Sequence, residues 1–384
     1  MKRANESDIQ NDLKKKIVLL TGPRQSGKTF LSRQLCDRYD YFSYDLPQDR
    51  LKLMRLEWER SSELLIFDEL HKMKKWKQWL KGVYDTQGIP PKILVTGSAR
   101  LDIARKMGDS LAGRFFQHRL YPLDLKELKL VGFNNEVTLE RLFICSGFPE
   151  PFLENNQTYY RKWQKSHLDL ILRQDLLDFQ QVKDIVAIET LIALLRQRVG
   201  ATISYANLAR DLGVDPTTVK RWLALLENLY VIFQVPPYSK KLSRLIRKES
   251  KYYFYDVALP ESDNGTKLEN VVAGALLKEL HHLEDQLGLR THLHFLRTKD
   301  GHEMDFLVLI EGKPILAVEV KWADKPPPKS VAYFQKHFPG LPFIQLVQEL
   351  NRPYSTPTGL SVIKADTWLQ TLDLLSYHTR VLAV

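Results

Sequence analysis

The sequence predicts an α/β protein built around a parallel β-sheet. Three apolar runs, at residues 17–20, 64–67 and 92–96, have the length and composition of strands that are buried on both faces of such a sheet. The first run leads through a glycine-containing loop into a segment with helical character at 30–38. The 384 residues, 44% of them hydrophobic, suffice for two or three domains, each with a core of its own.

The loop after the first run matches the phosphate-binding pattern G-x-x-x-x-G-K-[ST] in sequence and in context. Its glycines allow backbone N–H groups to point into one concavity, and the following helix adds the positive end of its dipole. Lys28 would reach the β- and γ-phosphates, and the Thr29 hydroxyl would bind Mg²⁺. We expect a nucleoside triphosphate site, with an ordinary glycine-rich turn as the alternative. The nucleotide-binding residues expected are Gly22, Pro23, Arg24, Gln25, Ser26, Gly27, Lys28 and Thr29.

The second apolar run ends in a pair of acidic residues, Asp68 and Glu69, as in a Walker B motif. Asp68 would hold the magnesium ion through water, and Glu69 would polarise the water that attacks the nucleotide. An acidic pair that merely caps a strand is the alternative. The preceding phosphate-binding loop favours the catalytic interpretation.

Two further residues are candidates for catalysis. The third apolar run ends beside Ser98, which we expect to hold the attacking water, with Thr96 as the second candidate. Arg114 lies in a glycine-flanked turn and is a candidate arginine finger, which would neutralise charge on a phosphoryl group bound by a neighbouring subunit. A surface arginine in a loop is the alternative. Another short strand is expected at 120–123.

A helix-turn-helix pattern occupies residues 204–226. Gly213 permits a tight turn, Asp215 caps the second helix, and Val219 and Leu223 face inward. With an apolar strand at 230–235, this predicts a winged helix that contacts DNA; a module that only packs against protein is the alternative. The outward-facing helix residues proposed for DNA are Thr217, Thr218, Lys220 and Arg221, and a basic run follows at Lys240, Lys241, Arg244, Arg247, Lys248 and Lys251.

The composition favours a polyanionic partner and an intracellular location. The formal net charge is +10 and the sequence pI is about 9.3. Lysines that surround Trp76 and Trp79 form either a second phosphate-contact surface or the solvated face of an amphipathic helix. Since no apolar stretch of about 18 residues occurs, we expect no membrane partner and a cytoplasmic protein. Cys36 and Cys145 are expected to be reduced, buried thiols.

The C-terminal third carries a second candidate site. Glu269 lies on a predicted helix, Asp305 opens a strand, and Glu319 and Lys321 share one face of the next strand. This is the constellation of PD-(D/E)xK nucleases, in which Glu269, Asp305 and Glu319 would hold Mg²⁺ and Lys321 would orient the nucleophile. The alternatives are a solvated hairpin with an ion pair, and a nuclease fold that is kept as a scaffold without activity.

With these motifs together, the chain resembles prokaryotic ATPases that pair an AAA-type ATPase domain with a C-terminal DUF4143 region. The resemblance implies ATP with Mg²⁺, and a homo-oligomeric, hexameric ring with nucleotide at subunit interfaces. Ser146 stands where a glycine is common, and no convincing sensor 2 arginine is found, with Arg161, Arg173 and Arg196 as options. The resemblance is carried by residues 21–29, 65–69, 94–100, 112–114, 147–150 and 253–256 and by the set Glu269, Asp305, Glu319 and Lys321.

The predicted organisation has three domains: a P-loop ATPase domain at 1–155, a helical connector with a winged helix at 156–240, and a nuclease-like α/β domain at 241–384. The function expected from it is a Mg²⁺-dependent ATPase that translocates on or remodels duplex or branched DNA, as in branch migration. The alternatives are an ATP-gated, metal-dependent nuclease and a regulatory ATPase that binds a protein partner through its C-terminal domain.

Overall fold

The computed structural model describes residues 1–59, 61–97, 111–133, 137–175, 184–239 and 249–382. They form two compact units. The first unit comprises Met1–Pro122 and Asn228–Tyr230, and the second comprises Leu123–Glu227 and Val231–Val384. The three domain limits expected from the sequence stay a prediction.

The first unit contains a five-stranded sheet in which neighbouring strands are parallel, so the α/β class is confirmed. The strand order is β2-β3-β4-β1-β5. The strands are β1 (Ile17–Thr21), β2 (Tyr39–Ser43), β3 (Leu64–Asp68), β4 (Lys92–Thr96) and β5 (Phe115–Arg119). The helices around them are α1 (Glu6–Leu13), α2 (Lys28–Gln34), α3 (Pro47–Arg55) and α4 (Trp76–Gln87).

Alternation along the strands divides the first unit into two cores. In β1, Ile17 and Leu19 face a core that includes Trp76 of α4. Val18 and Leu20 face the other core, which includes residues of α1 and α2. Trp76 is 6% exposed and packs in this core, and Trp79 packs against the same core. The helix α4 is therefore amphipathic, and its two tryptophans are not part of a surface patch.

The prediction of a short strand at 120–123 is wrong, because the fifth strand lies at Phe115–Arg119. In the described residues β5 pairs only with β1, so it is an edge strand of the sheet. Edge strands often carry polar residues, and those of β5 hide its strand character in the sequence. After it, the N–H of Leu120 donates to the carbonyl of Thr21 at 2.8 Å. Pro122 has no N–H with which to extend this pairing.

The second unit begins with helices and a small antiparallel sheet. That sheet has the order β6-β8-β7, so β8 is its central strand. A π-helical turn at Ile171–Asp175 follows α8. The elements are α5 (Leu125–Leu130), α6 (Val137–Cys145), α7 (Pro149–Glu154), α8 (Gln157–Leu170), α9 (Ile185–Arg196), β6 (Thr202–Ile203), α10 (Tyr205–Leu212), α11 (Pro216–Asn228), β7 (Ile232–Val235) and β8 (Ser250–Phe254).

The same unit ends in a six-stranded mixed sheet of order β13-β14-β12-β11-β10-β9. Strands β9, β10 and β11 are antiparallel, whereas β11, β12 and β14 are parallel. The elements are α12 (Asn264–Leu287), β9 (Thr291–Arg297), β10 (Glu303–Ile310), β11 (Lys313–Ala323), α13 (Lys329–His337), β12 (Phe343–Glu349), β13 (Tyr354–Ser355), β14 (Leu360–Lys364), α14 (Ala365–Leu369) and α15 (Leu374–Leu382). The C-terminal sheet domain expected from the sequence is therefore present.

Two smaller expectations concern the membrane and the cysteines. Across the ranges that the structure describes, no helix combines the length and the apolar composition that a membrane span requires. Both cysteines are free thiols, but only Cys145 is buried, whereas Cys36 is half-buried at the end of α2. The expectation of two buried thiols is therefore wrong for Cys36.

Two glycine-to-alanine substitutions in the first unit should have opposite effects. Gly22 has φ +144°, and an added Cβ would lie 2.2 Å from the carbonyl oxygen of Leu120. We expect Gly22→Ala to lower the free energy of unfolding by about 2 kcal/mol. Gly82, inside α4, has no neighbour within 4 Å of such a Cβ, so Gly82→Ala should raise it by about 1 kcal/mol.

Denaturant unfolding of both variants without nucleotide measures these changes. A free energy of unfolding that is unchanged or raised in Gly22→Ala would contradict the described contact between Gly22 and Leu120, and one that is lowered in Gly82→Ala would contradict the open space at Gly82.

Candidate functional site

The phosphate-binding loop lies between the end of β1 and the start of α2. Gly27 caps α2 with φ +95°, and Gln25 also has a positive φ of 59°. Lys28 is 8% exposed, and its Nζ donates to the carbonyl oxygens of Gly22 at 3.0 Å and Pro23 at 2.5 Å. The ammonium therefore lies against the backbone whose N–H groups are the expected phosphate ligands.

Arg3 supports this loop and was missed by the sequence reasoning. Its guanidinium is buried and donates to the carbonyl oxygens of Ser26 at 2.7 Å and Tyr121 at 2.5 Å. It thus ties the phosphate-binding loop to the chain that follows β5. A single arginine in a polar N-terminal segment has no local pattern that could have revealed this contact.

Asp68, at the end of β3, accepts hydrogen bonds from three hydroxyl groups. Thr29 donates to Oδ2 at 3.3 Å, Tyr41 donates to the same oxygen, and Thr96 donates to Oδ1. Thr96 lies directly opposite Asp68 in the strand register, and Tyr41 comes from β2 on the other side. Sequence reasoning identified Thr29, Asp68 and Thr96 but missed Tyr41.

The surroundings of Asp68 suit a magnesium ion. Mg²⁺ prefers oxygen ligands such as hydroxyls and carboxylates, and it usually keeps several water ligands through which a nearby carboxylate can hold it. The Thr29 hydroxyl and the Asp68 carboxylate have this chemistry and are 3.3 Å apart. Burial and the hydrogen bond to Asp68 raise the pKa of Tyr41, so its phenol stays neutral and continues to donate.

Glu69 lies beside His71 and Lys72 rather than pointing freely into the site. It has φ +54°, a conformation that costs a non-glycine residue about 1 kcal/mol or more. Its Oε2 lies 3.4 Å from His71 Nε2 and 3.6 Å from Lys72 Nζ. Lys72 also pairs with Asp45 at 2.8 Å. A catalytic role therefore requires the Glu69 carboxylate to exchange these partners for water.

The strand end that follows Thr96 is closely packed. A Cβ at Gly97 would lie 2.8 Å from His71 Nδ1, so glycine at this position makes room for the histidine beside Glu69. Ser98, the first candidate for holding the attacking water, lies outside the described residues. Its role remains a prediction.

Arg114 and the phosphate-binding loop lie at opposite ends of the strands of the parallel sheet. Arg114 precedes β5, whose Phe115 pairs with Ile17 at the start of β1, whereas the loop follows the end of β1. Its guanidinium forms two hydrogen bonds with Asp85, at 2.7 and 3.2 Å. Arg114 therefore does not contribute to the nucleotide site of its own subunit.

The helix-turn-helix residues fall as expected where they are described. Gly213 ends α10 with φ +66°, and Val219 and Leu223 of α11 are buried. On the opposite face, Thr217, Lys220 and Arg221 are exposed and Thr218 is half-buried. Trp222, which is also buried, was not anticipated. The candidate DNA contacts Lys240, Lys241 and Arg244 lie outside the described residues.

The C-terminal candidate residues lie near one another, but Lys251 is among them. Its Nζ is 2.8 Å from Glu303, 3.3 Å from Glu269 and 3.4 Å from Asp305. Lys251 is only 1% exposed, so its assignment to a surface phosphate-binding run is wrong. Lys321 donates to Glu319 at 2.6 Å. Across the ranges described, no three His, Cys, Asp or Glu side chains form a group suited to a metal ion.

Burial and like charge perturb this cluster. Burial, together with the nearby Asp305, raises the pKa of Glu269 to about 7 and that of Glu319 to about 8. Burial alone would lower the pKa of Lys251, but Glu269, Asp305 and Glu303 raise it above its ordinary value. Lys251 therefore stays charged. Within the described residues, Glu319 Oε2 is buried and has no hydrogen-bond partner.

Three family profiles match consecutive parts of the chain. An AAA domain matches residues 14–129, a domain of unknown function (DUF8612) matches 136–265, and a domain of unknown function (DUF4143) matches 264–367. The chain therefore contains an AAA domain and a C-terminal DUF4143 domain. The resemblance that the motifs suggested is thereby confirmed, and the AAA domain supports ATP hydrolase activity.

Relatives of the ATPase occur in bacteria and archaea. An uncharacterized protein of Mycobacterium tuberculosis is 26% identical over 324 residues, covering 81% of this chain and 71% of the relative. An uncharacterized protein of Methanocaldococcus jannaschii is 25% identical, with 79% and 74% covered. One of Haemophilus influenzae is 23% identical, with 79% and 82% covered.

Among solved structures, RuvB of Thermotoga maritima is 17% identical with a TM-score of 0.33, and the match covers 60% of this chain and 88% of RuvB. A STAND protein with a tetratricopeptide repeat sensor from Pyrococcus horikoshii is 14% identical with a TM-score of 0.24, covering 74% and 47%. At these scores neither structure supports an inference about the ATPase.

The Tyr41 hydroxyl should matter for the use of Mg²⁺. Tyr41→Phe removes one of the three donors that orient Asp68, so we expect about tenfold weaker apparent Mg²⁺ affinity in ATP hydrolysis. Hydrolysis rates measured against Mg²⁺ concentration test this. Tyr39→Phe is the matched control, because Tyr39 lies on the same strand and packs in the same core. Equal losses in both variants would contradict a specific role of Tyr41.

Proposed function

We propose that this protein is a Mg²⁺-dependent, oligomeric AAA+ ATPase that acts on DNA and uses hydrolysis to translocate on or remodel duplex or branched molecules. The AAA domain and the geometry around Asp68 support the ATPase part. The exposed polar face of α11 supports the proposal that the protein binds DNA.

The face of α11 has the chemistry of a DNA-reading helix. Thr217, Lys220 and Arg221 are exposed near its start, and its other face is buried through Val219 and Leu223. Such residues contact phosphates or base edges when a recognition helix enters the major groove. The helix follows a glycine turn after α10, and the sheet β6-β8-β7 belongs to the same unit, as a winged helix requires. The net charge of +10 adds long-range attraction to DNA.

The nucleotide-site residues have separate tasks in this proposal. Lys28 binds the terminal phosphates, and Thr29 and Asp68 hold the Mg²⁺ ion, which neutralises phosphate charge when it is bound. Glu69 leaves His71 and Lys72 and accepts a hydrogen bond from the attacking water. Since Glu69 starts in a paired and strained conformation, its release is a step at which DNA binding could control the hydrolysis rate.

Arg114 supports the oligomeric part of the proposal. It precedes β5, whereas the phosphate-binding loop follows β1, so the two lie at opposite ends of these parallel strands. Arg114 can therefore act as an arginine finger only on nucleotide held by another subunit. Its pair with Asp85 is exposed and contributes little stability. The guanidinium can therefore leave Asp85 at low cost when a neighbouring subunit offers a phosphate. A hexameric ring would repeat this contact at each interface.

Mixing two inactive variants tests the shared site. Arg114→Ala should lower hydrolysis by about 10³-fold without loss of nucleotide affinity, and Lys28→Ala should abolish nucleotide binding. In an equal mixture, about a quarter of the interfaces combine an intact loop with an intact finger, so activity should reappear. Arg38→Ala is the control, because Arg38 is also exposed and paired with a carboxylate, Glu63. Absence of recovery, together with a monomeric mass with and without nucleotide, would overturn the ring proposal.

DNA dependence of ATP turnover tests the proposed partner. Duplex or four-way DNA should stimulate hydrolysis, and the double substitution Lys220→Glu with Arg221→Glu should abolish the stimulation while basal turnover persists. The salt dependence of DNA binding should also fall, by a slope of about 2. Lys313→Glu with Arg352→Glu makes the same charge change at exposed residues of the C-terminal sheet region and should retain stimulation.

Turnover that is indifferent to duplex, single-stranded and four-way DNA would overturn the DNA proposal. Capture of a stable protein partner by the Glu69→Gln variant would then favour the regulatory ATPase.

A further inference from the structure

Lys251 is fixed inside the carboxylate cluster by its own strand. It lies on β8, the central strand of its sheet, opposite Thr202 on one side and Val235 on the other. Because both neighbouring strands pair with this part of β8, the backbone cannot move without breaking ladder hydrogen bonds. The side chain is 2% exposed, and its ammonium also lies 5.4 Å from the centre of the Phe295 ring.

The carboxylates around Lys251 come from two other elements. Glu269 belongs to α12, and Glu303 and Asp305 belong to β10. An ammonium that is removed from water loses several kcal/mol of solvation unless charged partners surround it. Here three carboxylates lie 2.8 to 3.4 Å from Nζ, which is hydrogen-bond distance. The ammonium is thus fully paired, although its single positive charge offsets only one of the three carboxylate charges.

The remaining polar contacts close the cluster. Tyr253, two residues along β8 and on the same face, donates to Glu269 at 2.7 Å. Asp305 Oδ2 accepts from the N–H of Val320 at 2.9 Å. A Cβ at Gly200 would lie 2.8 Å from Glu269 Oε1, so the backbone there leaves no space over this carboxylate. Glu269 and Asp305 keep only 18% and 13% of their side chains exposed, so a phosphodiester has limited access to these two acids.

These residues do not fit the divalent cation that the nuclease-like motif implies. Mg²⁺ requires about six oxygen ligands at about 2.1 Å, including water. Two of the three expected ligands, Glu269 and Asp305, already bind the ammonium of Lys251. The third, Glu319, is paired with Lys321. A metal ion would have to compete with a lysine that is covalently part of the site and cannot diffuse away.

We propose that Lys251 permanently occupies the cation position of the C-terminal carboxylate cluster, so that this centre is a metal-free lock between β8, α12 and β10 and does not cleave DNA. The cluster then joins the three-stranded sheet to the six-stranded sheet by charge. This favours the scaffold alternative over the ATP-gated nuclease. The inference does not depend on the proposed DNA-stimulated ATPase activity.

Counting bound Mn²⁺ on the full-length protein tests the proposal directly. The measurement is made without nucleotide in an Asp68→Asn background, which removes the carboxylate ligand of the ATP site, and electron paramagnetic resonance reports free Mn²⁺. We expect no stoichiometric Mn²⁺ at millimolar concentration. One Mn²⁺ per chain that disappears in Asp305→Asn would overturn the proposal, as would Mg²⁺- or Mn²⁺-dependent DNA cleavage that Asp305→Asn abolishes.

Removal of the ammonium should create the metal site. Lys251→Met, in the same background, should lower the melting temperature by roughly 10 °C, because buried carboxylates lose their partner. Mn²⁺ should restore part of that loss and bind at one ion per chain. Lys278→Met is the matched control, because Lys278 also contacts two carboxylates, Asp124 at 3.2 Å and Glu127 at 2.7 Å. We expect it to lose stability without gaining Mn²⁺.

A folded Lys251→Met protein that binds no Mn²⁺ would overturn the claim that the ammonium occupies a cation position. If Lys251→Met does not fold, the Mn²⁺ count on the lysine-containing protein still decides.

Discussion

The proposed nucleotide site depends on one carboxylate, Asp68, and the three hydroxyl groups that donate to it. The sheet order makes this possible, because β3 lies between β2 and β4 and therefore receives Tyr41 from one side and Thr96 from the other. Thr29 reaches Asp68 from α2. A carboxylate with both oxygens engaged by neighbouring elements has a fixed orientation, which a magnesium site requires. The contact of Thr29 also fastens α2 to β3.

Two residues to which we assign roles in hydrolysis, Lys28 and Glu69, are engaged elsewhere in the described arrangement. Lys28 binds carbonyl groups of its own loop, and Glu69 lies beside His71 and Lys72 in a strained backbone conformation. Binding of nucleotide must exchange the contacts of Lys28, and activation of water must exchange those of Glu69. These are separate exchanges at separate residues. Nucleotide binding and hydrolysis can therefore respond to different signals, which suits an ATPase whose turnover is controlled by a partner.

The sequence was informative where function is encoded locally. The phosphate-binding loop, the β3 acids and the β11 Glu319 and Lys321 pair are short patterns in which spacing fixes geometry. Arg3, Tyr41 and Lys251 could not be found in this way, because their partners are distant in sequence: Arg3 contacts Tyr121, 118 residues away, and Lys251 contacts Asp305, 54 residues away. Lys251 was even misassigned to a surface, since a run of basic residues does not show where a strand begins and which side chains it turns inward.

The two acidic centres differ in the charge of their partners, and this difference separates their functions. The described partners of Asp68 are neutral hydroxyls, which orient the carboxylate but leave its negative charge available to a cation. Glu269, Asp305 and Glu319 have ammonium partners, Lys251 and Lys321, which offset part of the charge that would attract a metal and occupy the oxygens that would bind it. We therefore propose that the charge of the donor groups, rather than the number of carboxylates, determines which centre can recruit Mg²⁺.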